Sequence, residues 1–533
     1  MIEKTDFDVV IVGAGFAGIY QAWRLCELGF SVRVFEMEAE AGGVWAGNRY
    51  PGARVDVAVP TYEFSMEQVW RGWYWKEKFP SREDLTAYFR HAISQLNVGD
   101  LIEFNAKVTE AHFDEQSNRW VVTVNETETY QARFLVFCTG PASAPYIPDY
   151  KNIDQFQGEC HHTGMWPEGL TLDYKRVAVI GTGASGIQLV QVAGHCASRL
   201  TVFQRTPING IPMRQEPLSR KTQDEWKKNY PELFKLRNRT PGGSLIKSTG
   251  KMTTEVSQEE MLAEFEKSWE HGGFDFWATF PDVFYDLEAN RKIYNFWRDK
   301  VRQQLKTEEL KELLAPMEPL APFGAKRPSL VTDYYHIFNQ DNVELVSLRD
   351  KSIEMFTSKG IRTSDGRDFE FDIIIFATGF DALTGPLTRI DIRGRNGRCL
   401  TEHWADGART QMGIATHGFP NMWFLYGPQS PNNRLIGPTS AEIQGEWLVR
   451  CLEHLRNNQI VTMEATTEGE NSWDREMEKI VSYDLMSTVS SWQTGGNIPG
   501  KKRKLLVYVD TVGYMQHLNN CADSGYSNFM LTA

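Results

Sequence analysis

Two stretches of this chain share one rhythm. Each opens on a short run of consecutive apolar residues, passes through a glycine-rich turn, and continues with apolar positions at helical spacing. In the first, Val9–Val12 reads as a buried strand and Gly13-x-Gly15-x-x-Gly18 as the turn. A helix then runs to about Leu28, and a second strand ends at Glu36. An unbroken apolar run bounded by turn residues fits a parallel strand covered on both faces. The three glycines serve a tight turn, close backbone approach to a pyrophosphate, and helix–strand packing. The helix N-terminus adds unpaired N–H groups and partial positive charge. Glu36 stands where a carboxylate accepts hydrogen bonds from an adenosine ribose.

The rhythm recurs in a strand at Val177–Ile180, the turn Gly181-x-Gly183-x-x-Gly186, a helix, and a strand ending at Gln204. Arg205, followed by Thr206, stands where the first unit has Glu36. A carboxylate there repels a 2′-phosphate, whereas arginine pairs with one. The first cradle therefore suits a free 2′-hydroxyl and the second suits NADP. Hydride from NADP needs a two-electron acceptor, and FAD is the common one on a second fold of this kind. Two more buried runs, "FLVFCTG" ending at Gly140 and "DIIIFATGF" ending near Phe380, close in small-residue turns. Such turns are expected where a chain crosses between nucleotide-binding domains.

The predicted fold class is α/β, with two Rossmann-like dinucleotide-binding domains (FAD and NADP) and a helical insertion. The expected division places 1–141 and 380–533 in the FAD domain, 142–215 and 322–379 in the NADP domain, and 216–321 in the insertion. Within the insertion, "QEEMLAEFEKSWE" puts Met261, Leu262, Phe265 and Trp269 on one helical face, which reads as packing. Beyond the two nucleotide units the sequence has no internal repeat and no low-complexity tract.

Composition narrows the function classes. The 533 residues are 41% hydrophobic and 24% charged, as in an ordinary soluble enzyme. A net charge of −12 argues against a general nucleic-acid binder. Seven cysteines without a Cys-x-x-Cys pair read as reduced core thiols, not as a disulfide framework or a zinc site, so no metal is expected. No apolar run reaches the length of a membrane span. The acidic start, Glu3, Asp6 and Asp8, is wrong for a signal peptide. A soluble cytoplasmic protein is expected, without nucleic-acid or membrane partners, as a monomer or weak homo-oligomer.

One loop fits neither helix nor buried strand. "GGVWAGNRYPGARVD", residues 42–56, holds four glycines, a proline and two arginines. Position by position it resembles a fingerprint of type I Baeyer–Villiger monooxygenases: Gly-Gly-x-Trp, four residues, Tyr-Pro-Gly, three residues, Asp. A second fingerprint of that family is matched by "FQGECHHTGMWP" through Phe156, Gly158, His162, Trp166 and Pro167. "GAKRP", "ATGFDALTG", "GFPNMWFLYGPQSP" and "SWQTGGNIPGKKR" carry the resemblance to residue 503. The chain departs from the family pattern in "NNRLIGPTS" (432–440), so the resemblance does not fix the pocket shape there.

The resemblance implies a phenylacetone- or cyclohexanone-monooxygenase-like enzyme, which uses NADPH and O2 to convert a ketone to an ester or lactone through a flavin peroxide. The nucleophile then belongs to the cofactor, so no catalytic serine, cysteine or metal is needed. The protein's part is positive charge beside developing anions, and exclusion of water. By the same resemblance Arg327 is the active-site arginine and Asp56 the carboxylate that orients it. Lys326 joins Arg205 and Thr206 around the 2′-phosphate, Arg54 lies near the nicotinamide half, and Trp492 touches its ribose. Gly43, Val44, Trp45, Tyr62 and Val108 complete the cofactor-binding set on the FAD side, and Thr182, Gly183, Ser185, Gly186 and Gln188 on the NADP side. His162 and Trp166 read as a structural linker between the modules, not as an acid–base pair. Two rivals share the cradles: a flavin N- or S-oxygenase, separable by product analysis, and a non-catalytic FAD/NADP redox sensor, which would show no ketone-dependent NADPH consumption.

Overall fold

In the computed structural model, which describes residues 6–432 and 436–533, the chain builds two parallel-stranded sheets. In the first, Ile102–Glu103, Val32–Phe35, Asp6–Val12 and Glu128–Phe137 lie side by side and parallel, with Val9 beside both Val32 and Phe134. Val9, Val10, Ile11 and Phe134 are wholly buried, because helices and loops cover both faces. Glu128–Phe137 is a branch point. Its first half pairs antiparallel with Arg119–Val124, and its end takes Met422–Phe424 in parallel. Far downstream sequence thereby returns to the first sheet. Helix Phe16–Glu27 crosses over this sheet, and Gly445 lets helix Gly437–Asn457 press against it; a Cβ at Gly445 would lie 2.6 Å from the Tyr20 ring.

The second sheet is parallel throughout, in the order Val343–Ser347, Arg199–Gln204, Arg176–Ile180, Ile373–Phe376, Glu159–His162. Helix Ala184–Cys196 follows its glycine turn. The insertion contributes helices Arg220–Lys227, Tyr230–Arg237, Gln258–His271, Leu287–Arg302 and Glu308–Leu314. Ser219, Ser257, Asp286 and Thr307 cap four of them through side-chain oxygens, as helix N-termini require. Met261, Phe265 and Trp269 are buried as the periodicity predicts, but Leu262 is 43% exposed. It stands at the margin of the apolar stripe, in the first turns of its helix. Among the described residues no helix is long and apolar enough to cross a membrane, and no group of His, Cys, Asp and Glu is arranged to hold a metal.

Two buried titratable groups oppose each other across one pH window. His162 has its Nε2 2.9 Å from the Gly379 carbonyl, while its Nδ1 accepts the Gly164 N–H at 3.0 Å, so the ring is neutral with its proton on Nε2. Burial lowers its pKa from 6.5 to about 4. Burial raises Glu63 from 4.5 to about 7, against the pull of the Trp75 indole N–H. Between pH 4 and 6.5 the unfolded chain binds the His162 proton more readily than the folded one, so that contribution is lost as pH falls. Between pH 4.5 and 7 the folded chain binds the Glu63 proton more readily, so that contribution is lost as pH rises. Each is worth about 3 kcal/mol over its window, at about 1.4 kcal/mol per pH unit, and they act in opposite directions. Urea titrations should show Glu63→Gln losing about 3 kcal/mol more than the parent on acidification through this range, and His162→Gln about as much less. Parent-like slopes in both variants would mean that neither group is held neutral.

Candidate active site between two dinucleotide cradles

The first cradle is closed wherever a side chain would intrude. Gly13 has φ of 103°, and a Cβ there would lie 2.6 Å from the Cys138 carbonyl oxygen. A Cβ at Gly18 would lie 1.9 Å from the Gly13 oxygen. Gly15 and Gly43 face each other: a Cβ on Gly43 would come within 3.3 Å of the Gly15 Cα. Helix Phe16–Glu27 begins after Gly15 with no side-chain cap and no acidic residue in its first turn. These features fit a pyrophosphate at the helix N-terminus. Glu36, 4% exposed, accepts the Ala14 N–H at 2.6 Å and the Glu38 N–H at 2.9 Å, and burial raises its pKa. Its carboxylate therefore pins the glycine turn to the strand end where a ribose would lie. Val108 is buried at the start of the strand beyond Ala106, whose N–H binds the Glu36 carbonyl at 2.9 Å. Gly18→Ala should cost at least about 1–3 kcal/mol, because the new methyl meets rigid backbone. Thermal unfolding and the flavin absorbance retained on purification check this; a fully yellow variant with parental stability contradicts it.

The second cradle repeats the design with one difference. A Cβ would lie 2.4 Å from the Ala377 oxygen at Gly181 and 2.2 Å from the Gly181 oxygen at Gly186, whereas nothing stands within 4 Å at Gly183. Helix Ala184–Cys196, with Ser185 in its first turn, also starts without a side-chain cap. Thr182 Oγ1 donates to the Thr206 carbonyl at 3.2 Å, tying the turn to the strand end. Arg205 is exposed, and the half-buried Lys326 is close enough to feel its charge: burial first, and Arg205 second, depress the lysine pKa. Neither cation has an ion-pair partner among the described residues. Two adjacent cations without a carboxylate fit a dianionic 2′-phosphate.

The loop 42–56 lies between the cradles. Gly43 borders the first, while a Cβ at Gly52 would lie 2.9 Å from the Gln188 carbonyl oxygen in the second unit's helix. The Gln188 side chain grips the loop on either side of Gly52, accepting the Tyr50 hydroxyl at 2.7 Å and donating to the Arg54 carbonyl at 2.9 Å. Trp45 Nε1 donates to the Tyr62 hydroxyl at 3.1 Å, and the Tyr62 ring meets Phe16 edge-on at 5.3 Å. Val44 is half-buried beside Trp45. The Arg54 guanidinium binds Glu77 and the Phe79 carbonyl, each at 3.0 Å.

The loop ends at Asp56. Arg327 donates to its carboxylate from Nε at 3.2 Å and from Nη2 at 3.1 and 3.0 Å. The Phe274 ring lies 4.5 Å from the guanidinium carbon. Tyr426 is raised to about 12, first by burial, with Arg327 pulling it down and Asp56 pushing it up. The pair is 23% and 28% exposed, enough to reach a ligand yet screened from bulk water. Trp492 is half-buried at the start of a short turn. Its loop is held by the Asn497 amide on the Phe380 carbonyl at 2.8 Å and by Lys501 on Asp381.

Sequence reasoning missed Phe274, Tyr426 and the clamping role of Gln188. Tyr426 stood inside a quoted motif, but Phe274 comes from the insertion, and only tertiary packing brings it to Arg327. Of the divergent turn, residues 433–435 lie outside the described residues; beyond them Thr439 Oγ1 donates to the Gly243 carbonyl at 2.9 Å.

Residues 7–230 match the family described as pyridine nucleotide-disulphide oxidoreductase. A cyclopentanone 1,2-monooxygenase of Comamonas sp. is 42% identical over 529 residues, covering 99% of this chain and 96% of that protein. A cyclohexanone monooxygenase from Rhodococcus sp. Phi1, solved bound to NADP+, superposes with a TM-score of 0.95 at 34% identity and full coverage of both chains (100% each). A structure of OTEMO in complex with FAD and NADP gives 0.93 at 34% identity, covering 99% of each chain.

Proposed function

This chain belongs to the type I Baeyer–Villiger monooxygenases, and from that premise we propose how its residues divide the work. The enzyme uses FAD and NADPH to insert one oxygen atom beside a ketone carbonyl, giving an ester or lactone. Bound FAD supplies the two-electron chemistry and the reaction with O2. Everything else falls to the protein. Gly13, Gly15 and Gly18 with their helix hold the FAD pyrophosphate, and Glu36 and Val108 border its adenosine. Gly43, Val44, Trp45 and Tyr62 wall the ring side. Thr182, Gly183, Ser185, Gly186 and Gln188 line the NADP cradle, where Arg205, Thr206 and Lys326 read the 2′-phosphate. Arg54 and Trp492 approach the nicotinamide end. Residues 1–141 and 380–533 form the FAD domain, 142–215 and 322–379 the NADP domain, and 216–321 the insertion.

Arg327 aims fixed donors at the place where negative charge develops on oxygen, which is worth most in a water-poor site. Its charge is permanent, and its planar fork keeps its direction while Asp56 grips one edge. The observation that carries this reading is the Asp56–Arg327 contact at the end of a loop clamped to both cradles. Held by both nucleotide units, the loop fixes Asp56, and Asp56 holds the cation near where their reactive ends would converge. A panel of cyclic, linear and aryl ketones, with NADPH consumption and mass-spectrometric product identification, tests it. Ketone-dependent ester formation supports the reading; oxidation of nitrogen or sulfur compounds alone would replace it.

A further inference from the structure

Arg237 is wholly buried at the end of helix Tyr230–Arg237 in the insertion, outside both cradles. Its Nη1 donates to the carbonyls of Glu63 at 2.9 Å and Thr61 at 3.3 Å, and its Nη2 to Glu442 Oε2 at 2.6 Å. The other Glu442 oxygen accepts the Ser65 N–H at 2.7 Å. One buried ion pair thus holds the backbone at 61, 63 and 65, on either side of Tyr62. Tyr62 in turn receives the Trp45 indole N–H and packs on Phe16, the first residue of the cradle helix. Burying such a pair is costly, and apolar residues would join a helix to a loop at least as well. Apolar contacts, however, cannot fix the direction of two carbonyls, and here those carbonyls flank one ring.

We propose that Arg237 is a positioning residue that sets the Trp45–Tyr62 wall from inside the insertion, so that the insertion takes part in reaction geometry. The inference rests on placing that wall beside FAD. Misplacing a supporting wall by a fraction of an ångström costs rate without unfolding the protein. Arg237→Lys keeps a cation for Glu442 but cannot bridge both carbonyls.

The test compares the holoenzyme with Arg237→Lys, Tyr62→Phe, their combination, and the paired change Arg237→Met with Glu442→Met, which removes the whole ion pair and should leave the protein folded. Arg237→Lys should lower kcat for ester formation ~tenfold with an unchanged KM for NADPH. It should also divert NADPH to hydrogen peroxide and shift the flavin absorption spectrum. The combination with Tyr62→Phe should cost no more than the larger single change, because both act through one ring. Additive losses, or a folded Met/Met variant with parental kcat and spectrum, overturn the proposal. If the Met/Met variant does not fold, the Lys and Phe cycle decides alone. A parent enzyme that makes no ester from any ketone would overturn the functional reading instead, while the spectra of the variants still report whether Arg237 governs the wall.

Discussion

Arg327→Ala should go on oxidising NADPH while ester formation falls by roughly a hundredfold or more, which is the loss of about 3–4 kcal/mol of charge stabilisation. On the proposed placement, hydride transfer would develop little negative charge beside this guanidinium, whereas oxygen insertion would develop anionic oxygen there. The two halves of the cycle therefore respond differently to one substitution. Arg327→Lys should fail too, because a compact ammonium cannot both accept the Asp56 grip and present a planar fork. Removing the cation leaves Asp56 without its partner, so some slowing of reduction is expected from added negative charge near the nicotinamide. Stopped-flow reduction by NADPH, paired with an ester assay, checks the separation. Parental ester formation by the alanine variant would show that another group stabilises the oxygen chemistry.

The second large effect concerns the choice between reductants. Arg205→Ala should lower kcat/KM for NADPH about 10–100-fold and leave that for NADH nearly unchanged, because a charge-assisted hydrogen bond is worth about 1.5–3 kcal/mol. The loss should appear in KM, since the 2′-phosphate contact is the same in ground and transition states. Adding Lys326→Ala should deepen the loss by less than its own single effect, because each cation already lowers the cost of bringing the phosphate to the other. Burial first and the nearby Arg205 charge second depress the Lys326 ammonium, which places the two cations within reach of one phosphate. Steady-state kinetics with both reductants checks this. Equal use of NADH by the parent enzyme would remove the basis for assigning the second cradle.

What the sequence could show follows from how local each signal is. The cradles were legible because an apolar run, three glycines and a helix occupy one continuous stretch, and each glycine answers a local steric demand. The switch from Glu36 to Arg205 was legible for the same reason. Asp56 and Arg327 lie 271 positions apart, and only family resemblance paired them. Leu262 fitted the helical stripe yet ended exposed, because periodicity gives a face but not where its cover ends. Family resemblance alone put Gln188 in the second cradle, and it carries no sign that the same amide also holds the loop 42–56 at Tyr50 and Arg54. Arg237 offered no signal at all. A charged residue in a Lys- and Glu-rich insertion reads as surface, and its burial depends on Glu442 and two carbonyls that the chain brings together only on folding.

An enzyme that places one atom of O2 beside a ketone carbonyl at the expense of NADPH draws the new oxygen of its product from the gas and not from water. Turnover under heavy-oxygen-labelled O2 in ordinary water, with mass analysis of the product and a count of NADPH consumed, tests it most directly. The expected product is an ester or lactone carrying a single labelled oxygen, with one NADPH oxidised for each molecule formed. Unlabelled product, or NADPH consumption that yields only hydrogen peroxide with every ketone, would contradict it.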